Sequence, residues 1–267
     1  MATLAALVAA AFLPGFTPFA AGPDGGQVLR GTFPGADRPG FAYLPPGFDL
    51  SARYPVIYLL HGMPGSPSEY LDGTQLAAFA DAGISSGELR PFVAILPAAG
   101  SNRDYNGEWA GPLESELVER IVPWIDAILP TVASRRGRVI AGLSAGGFGA
   151  VDIGIRNVGL FGSIESWSGY FRPLHDGPFK DASPSQLAAN DPRRIVRLDR
   201  RALARTSTRF FLSSGPAHSH WFKPAETIAF AAEVRALGLP ETLRLFDSRQ
   251  GEWRAQVDDG LRWAFGR

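Results

Sequence analysis

Ser144 lies in the stretch Ala141-Gly142-Leu143-Ser144-Ala145-Gly146-Gly147, which contains G-x-S-x-G. A serine in that pattern can attack an acyl carbon, but its hydroxyl is a weak nucleophile until a base takes the proton. Four histidines are available for that role: His61, His175, His218 and His220. The chain has no cysteine, which excludes a thiol nucleophile, a disulfide and a cysteine metal site.

The elements around Ser144 decide whether it is presented for attack. Arg138-Val139-Ile140-Ala141 reads as a strand leading in, and Gly146–Ile155 as a small-residue helix leading out. A sharp strand-to-helix turn forces its central residue into a strained conformation and brings the two arms together. Small neighbours are then required, which accounts for Gly142, Gly146 and Gly147. The helix start supplies backbone N–H groups and a positive dipole end for a developing oxyanion. The competing interpretation is a glycine-rich helix start carrying a passenger serine.

A second oxyanion donor should come from the loop after an earlier strand. His61-Gly62-Met63 follows the apolar run Tyr54–Leu60 and fits that place, so the backbone N–H groups of Met63 and Ala145 are the expected donors. His61 reads as a turn residue that holds this loop through its ring nitrogens.

The rest of the chain alternates strands and helices. Strands are expected at Gln27–Phe33, Phe41–Leu44, Tyr54–Leu60, Phe92–Leu96, Arg138–Leu143, Gly162–Trp167, Arg209–Ser213 and Thr242–Phe246. Helices are expected around Thr74–Ala82, over Leu113–Leu129 with a kink at Pro123, after Ser144, over Pro224–Leu237 and over Trp253–Phe265. Residues 172–208 read as irregular. Continuous apolar strands between amphipathic helices predict an α/β fold, a mostly parallel central sheet flanked by helices, with the two leading strands as an antiparallel edge. The predicted organisation is an apolar N-terminal segment and linker over 1–26, then one domain over 27–267.

Composition narrows the function classes. With 26 basic and 26 acidic residues the net charge is zero, which argues against nucleic acid as a partner. The apolar run Ala2–Leu13 is shorter than the ~20 residues that span a bilayer. It resembles the core of a signal peptide, with Ala20 and Ala21 near a cut, although no positive residue precedes it. The competing interpretations of the run are the tail of a membrane segment or a docked helix; a secreted or membrane-associated location is expected, with a cytoplasmic one as the alternative. Six arginines between Arg193 and Arg205 suit either anionic lipid headgroups or a solvated helix face.

The segments YPVIYLLHGMPGSPSEY, ELVERIVPWIDAILP, VIAGLSAGGFGA, FAAEVRALGLP and WRAQVDDGLRWAF resemble the Putative esterase family of α/β-hydrolases. That family includes esterase D-type enzymes, feruloyl and acetylxylan esterases, and antigen 85 mycolyltransferases. The resemblance spans roughly residues 27–265. It implies an α/β-hydrolase fold and serine acyl transfer without a cofactor, on a small-molecule, lipid or carbohydrate acyl ester, with membrane or cell-envelope proximity among the possibilities. It leaves the oligomeric state open.

The resemblance also implies an acid after a late strand and a histidine before the last helix. Here the first place holds Ser214-Gly215-Pro216-Ala217-His218-Ser219-His220-Trp221, and the second holds Asp247 and Glu252. The usual acid loop carries histidines and the usual histidine loop carries acids. Three interpretations follow: a catalytically inactive binding protein on this fold, a rebuilt triad, or a metal held by His218 and His220. A triad is defined by geometry and roles rather than chain order. The interpretation carried forward is a serine-type ester hydrolase or acyltransferase. Ser144 is its nucleophile, His218 the base and Glu252 the orienting acid, with His220 and Asp247 second in those roles. No metal is assigned. Arg103, Asp104, Glu108, Trp109 and Trp221 are candidates for substrate contact; for those between Arg103 and Trp109 the competing interpretation is an ordinary polar loop.

Overall fold

The computed structural model describes residues 13–100, 108–216, 224–247 and 252–267. Its strands are β1 (Thr17–Ala21), β2 (Gln27–Thr32), β3 (Pro39–Leu44), β4 (Val56–Leu60), β5 (Val93–Leu96), β6 (Arg138–Leu143), β7 (Ser163–Trp167), β8 (Arg209–Ser214) and β9 (Glu241–Leu245). They form one sheet in the order β1-β2-β3-β5-β4-β6-β7-β8-β9. The β1–β2, β2–β3 and β3–β5 pairs are antiparallel, and every pair from β5 to β9 is parallel. The antiparallel edge is therefore present, with one strand more than the sequence suggested.

The helices are α1 (Leu76–Ser85), α2 (Pro112–Ser115 continuing through Glu116–Ile121 to Val122–Ile128), α3 (Ala145–Arg156), α4 (Pro184–Ala189), α5 (Pro192–Leu198), α6 (Arg200–Arg205), α7 (Pro224–Ala236) and α8 (Glu252–Phe265). Side chains of β4 alternate between the two sheet faces, as a period of two requires. Val56, Tyr58 and Leu60 pack with Leu117 and Ile121 of α2, Val151 of α3 and Phe230 of α7. Ile57 and Leu59 pack on the other face with Leu76 of α1 and with Val257 and Leu261 of α8. A strand buried on both faces has to be apolar throughout, and each such side chain contributes ~1.5–3 kcal/mol.

Pro123 does not break α2. Glu116–Ile121 widens to a π-type turn in which the Val122 N–H donates to the Leu117 carbonyl, five residues back. This register change lets the chain pass a proline that has no N–H of its own.

Two expectations need correction. Residues 172–208 are not irregular, because α4, α5 and α6 lie there. Ser183 starts α4 with a reciprocal capping box to Gln186, and Asp191 starts α5 by accepting from Arg193 N and Arg194 N, each with proline next in the chain. Those caps were legible in Ser183-Pro184-Ser185-Gln186 and Asp191-Pro192. Gly22–Gly26 is also not a linker. Asp81 on α1 is buried and accepts from Asp24 N (2.9 Å), Gly26 N (3.0 Å) and the Tyr43 hydroxyl (2.8 Å), so it clamps the β1–β2 turn. Leu13 and Phe16 are also buried in the core. The packed unit therefore begins before Gln27, and a cut near Ala21 would remove β1. Residues 1–12, which hold most of the apolar run, lie outside the described residues. No described helix is long and apolar enough to cross a membrane.

Candidate active site

Strand β6 ends at Leu143 and α3 begins at Ala145, so Ser144 alone makes the turn. Its φ of 52° and ψ of −115° are an unusual conformation for a residue with a side chain, at a cost of ~1–3 kcal/mol. Its N–H donates to the Trp167 carbonyl at the end of β7 (2.9 Å), which anchors the turn to the neighbouring strand. A Cβ on Gly146 would overlap the Leu60 carbonyl, and one on Gly142 would overlap the Gly146 carbonyl. The glycines are thus explained by backbone contact. As the first residue of α3, Ala145 has no acceptor for its N–H within the helix.

The loop after β4 lies against this turn. A Cβ on Gly62 would stand 3.5 Å from Ser144 Cβ. His61 is fully buried and both ring nitrogens are engaged. Nε2 accepts from Ala99 N (3.0 Å), so Nδ1 carries the proton and donates to the Gly62 carbonyl (2.8 Å). Burial pushes its pKa down to about 4, which keeps the ring neutral. His61 therefore holds the loop through its ring nitrogens and has none to offer Ser144.

Glu69 braces the same loop: its carboxylate accepts from Gly62 N (3.3 Å) and Ser66 N (3.2 Å), on either side of Met63. Tyr70 accepts from Leu143 N (3.2 Å) and donates to the Leu60 carbonyl (2.7 Å), tying the ends of β4 and β6 together beside Ser144. Sequence reasoning missed both residues, although Ser66-Pro67-Ser68-Glu69 carries the S-x-x-E signature that sends a glutamate back to an N–H.

Trp109 is not a surface for substrate. Only 2% of it is exposed, its indole N–H donates to the His61 carbonyl (2.9 Å), and a Cβ on Gly149 of α3 would overlap its Cβ. It supports the His61 turn from behind. Glu108 is buried too, and its carboxyl accepts from the Tyr170 hydroxyl (2.8 Å) and Leu174 N (2.9 Å). Burial pushes its pKa up to about 8. His175 next to Leu174 is exposed.

Glu252 is the first residue of α8, nearly fully buried. A Cβ on Gly215 would run into its carboxylate, so that carboxylate rests on the end of β8, three residues before His218. One turn further, Gln256 accepts from Ser213 Oγ (2.8 Å) and donates to Ser168 Oγ (2.9 Å), locking the start of α8 to the ends of β7 and β8. The polar pair Glu252 and Gln256 therefore heads the buried face of α8, whereas Trp253, expected on that stripe, is 39% exposed. Asp247 is exposed beyond β9. His218, His220, Trp221, Arg103 and Asp104 lie outside the described residues. No group of three or more potential metal ligands occurs among the described residues.

The sequence profile of the family described as Putative esterase matches residues 32–264. This chain belongs to the Putative esterase family. Within it, the chain is 33% identical over 132 residues to an esterase of Mycobacterium tuberculosis, covering 47% of this chain and 28% of that protein. It is 30% identical over 130 residues to an endo-1,4-beta-xylanase/feruloyl esterase of Xylanibacter ruminicola, covering 45% of this chain and 18% of that one. The chain thus matches well under a third of these relatives' lengths. Among solved structures, a ferulic acid esterase superposes with a TM-score of 0.75 at 23% identity, covering 90% of this chain and 97% of that one. An S-formylglutathione hydrolase from Agrobacterium tumefaciens gives 0.69 at 18% identity, covering 93% and 97%. At such identities the likeness establishes the fold, which is that of α/β-hydrolases.

Proposed function

We propose that this protein is a serine-type carboxylic-ester hydrolase acting through Ser144, with a triad rebuilt from His218 and Glu252. The observation that carries the proposal is the pairing of a strained Ser144 turn with a buried Glu252 carboxylate against Gly215. Family membership supports ester chemistry. In the proposed cycle, His218 takes the Ser144 proton as the oxygen attacks the ester carbonyl. Glu252 accepts the other imidazole N–H and fixes the tautomer. The N–H groups of Met63 and Ala145 stabilise the oxyanion. The imidazolium then gives its proton to the leaving alcohol; water, deprotonated by the same imidazole, attacks the acyl–Ser144 ester, and that proton is returned to the Ser144 oxygen as the carboxylic acid leaves.

The names of similar proteins suggest two substrate types, feruloyl esters and S-formylglutathione. We take an oxygen ester of a small acyl group as the substrate class. The test is labelling by a fluorophosphonate probe, together with hydrolysis of methyl ferulate, p-nitrophenyl acetate and S-formylglutathione. Labelling at Ser144 and turnover of an oxygen ester support the proposal. A folded wild-type protein that neither labels nor turns over any of the three favours a binding protein on the same fold.

A further inference from the structure

At the amino end of the parallel strands, far from Ser144, lies a cleft of about 490 Å³ lined by Arg135, Arg136, Arg205, Arg209, Ser163, Thr206, Ser207 and Gly162. It contains four guanidinium groups and no carboxylate. Most arginines with a carboxylate nearby are paired. Arg138 pairs with Asp126, Arg156 with Asp152 and Glu114, and Arg193 and Arg197 both pair with Glu233. Among the described residues, none of the four cleft arginines has a carboxylate within ion-pair distance; the buried Glu165 carboxyl acts on Arg209 only through space.

The cleft is also organised. Arg135 donates to the carbonyls of Val158 (3.0 Å) and Phe161 (3.4 Å) and to Thr208 Oγ1 (3.0 Å), which fixes its plane. Arg209 lies over the Trp263 ring at 4.4 Å, and its Nε donates to Ser163 Oγ (3.0 Å). Ser163 is 5% exposed, and since it accepts from Arg209 it keeps its own proton to donate. Arg136 and Arg205 are exposed and complete the rim. Desolvation and the neighbouring Arg136 charge both push the Arg135 pKa down, the expected sign for like charges held together without a counterion.

The chain carries 26 acidic residues against 26 basic ones, yet no acidic side chain among the described residues lines this cleft. We propose that this cleft is a binding site for a phosphate group. Guanidinium forks match the oxygen spacing of a phosphate, and a dianion answers several uncompensated positive charges better than a monoanion. The volume admits a phosphate with a small organic group attached. The same chemistry would serve a soluble phosphomonoester or a phosphatidic acid headgroup.

The test uses inorganic phosphate, glycerol 3-phosphate, and phosphatidylcholine vesicles with and without phosphatidic acid. Binding is read by calorimetry, by thermal midpoint at constant ionic strength, and by co-sedimentation. Phosphate should raise the midpoint more than acetate or chloride does, and the double variant R136A/R205A should weaken phosphate binding at least tenfold. Circular dichroism and the phosphate-free midpoint show that the variant is folded; relief of like-charge repulsion should leave that midpoint unchanged or higher. If the double variant fails to fold, Arg136→Lys keeps the charge, removes the fork and should still weaken binding. Binding of the soluble phosphates without the vesicles assigns a soluble ligand, and a requirement for phosphatidic acid assigns the headgroup. Equal shifts with phosphate, acetate and chloride, or equal affinity in wild type and folded variant, would overturn the proposal.

Discussion

Strand β6 begins at Arg138 and ends at Leu143, a length of roughly 20 Å, and its two ends treat charge and backbone differently. At the carboxyl end, Ser144 N–H is anchored to the Trp167 carbonyl and Gly146 lies close against the Leu60 carbonyl, and among the described residues His61 and Glu69 have defined partners. His61 uses both ring nitrogens and Glu69 both oxygens on the loop beside Ser144. At the amino end, four arginines line an open cleft without a carboxylate. Among the described residues, the carboxyl end therefore has its backbone geometry fixed by the fold itself. At the amino end Arg138 is paired with Asp126, while the four cleft arginines have no carboxylate within ion-pair distance among the described residues and form the site proposed above for a phosphate group. In a parallel sheet the strand ends on one side supply turns into helices whose N–H groups are free, which favours developing negative charge there.

The comparison breaks first at Ser144. Ser144→Ala should lower ester hydrolysis by about 10⁴-fold or more, the scale of losing a nucleophile, and abolish fluorophosphonate labelling. Its denaturant midpoint should stay within experimental error of wild type. Activity surviving in the purified variant would move the chemistry elsewhere.

Next come the two residues that would activate it. His218→Ala and Glu252→Gln should each cost about 10²–10⁴-fold in kcat, and the double variant should cost little more than the worse single one, because members of a triad act as a unit. Multiplicative losses, or an unchanged rate in Glu252→Gln, would dissolve the rebuilt triad. His220→Ala measured alongside separates the two histidines.

Backbone crowding is tested by Gly146→Ala, whose new methyl would meet the Leu60 carbonyl. A loss of about 3 kcal/mol in urea unfolding is expected, at the upper end for overpacking against a backbone that cannot yield. A variant as stable as wild type would mean that β4 and α3 can separate.

The most gradual expected effect is a pH slope, which reaches its full size only at the end of the titration. The folded His61 pKa of about 4 lies below the ordinary value of 6.5, so between those values the unfolded chain binds more protons. Stability from this residue is complete above about pH 6.5 and declines as pH falls towards 4, by up to about 3 kcal/mol. His61→Gln should flatten that limb. Glu108 has the opposite sign: its folded pKa is raised to about 8, so its contribution is present below about pH 4.5 and is lost as pH rises towards 8. Glu108→Gln should flatten the alkaline limb. Chemical denaturation across pH checks both, and unchanged slopes would show that these groups titrate as if solvated.

The sequence by itself determined what depends on order along one element. The apolar run of β4, the strand at Arg138–Leu143, the Ser144 turn with its glycines and the turn at His61 were all legible, because period and steric limits act within a few residues. So were the caps at Ser183 and Asp191, although residues 172–208 read as irregular without them. Only the tertiary structure decided which distant residues meet. Glu252 rests on Gly215 because β8 pairs with both β7 and β9 and α8 returns across them. Tyr70 reaches Leu60 and Leu143 because β4 and β6 are neighbours despite the long stretch of chain between them. Arg135 and Arg136 share a cleft with Arg205 and Arg209 because the starts of β6, β7 and β8 lie side by side. Strand order is set by long-range burial of both sheet faces, and no local pattern in the chain encodes it.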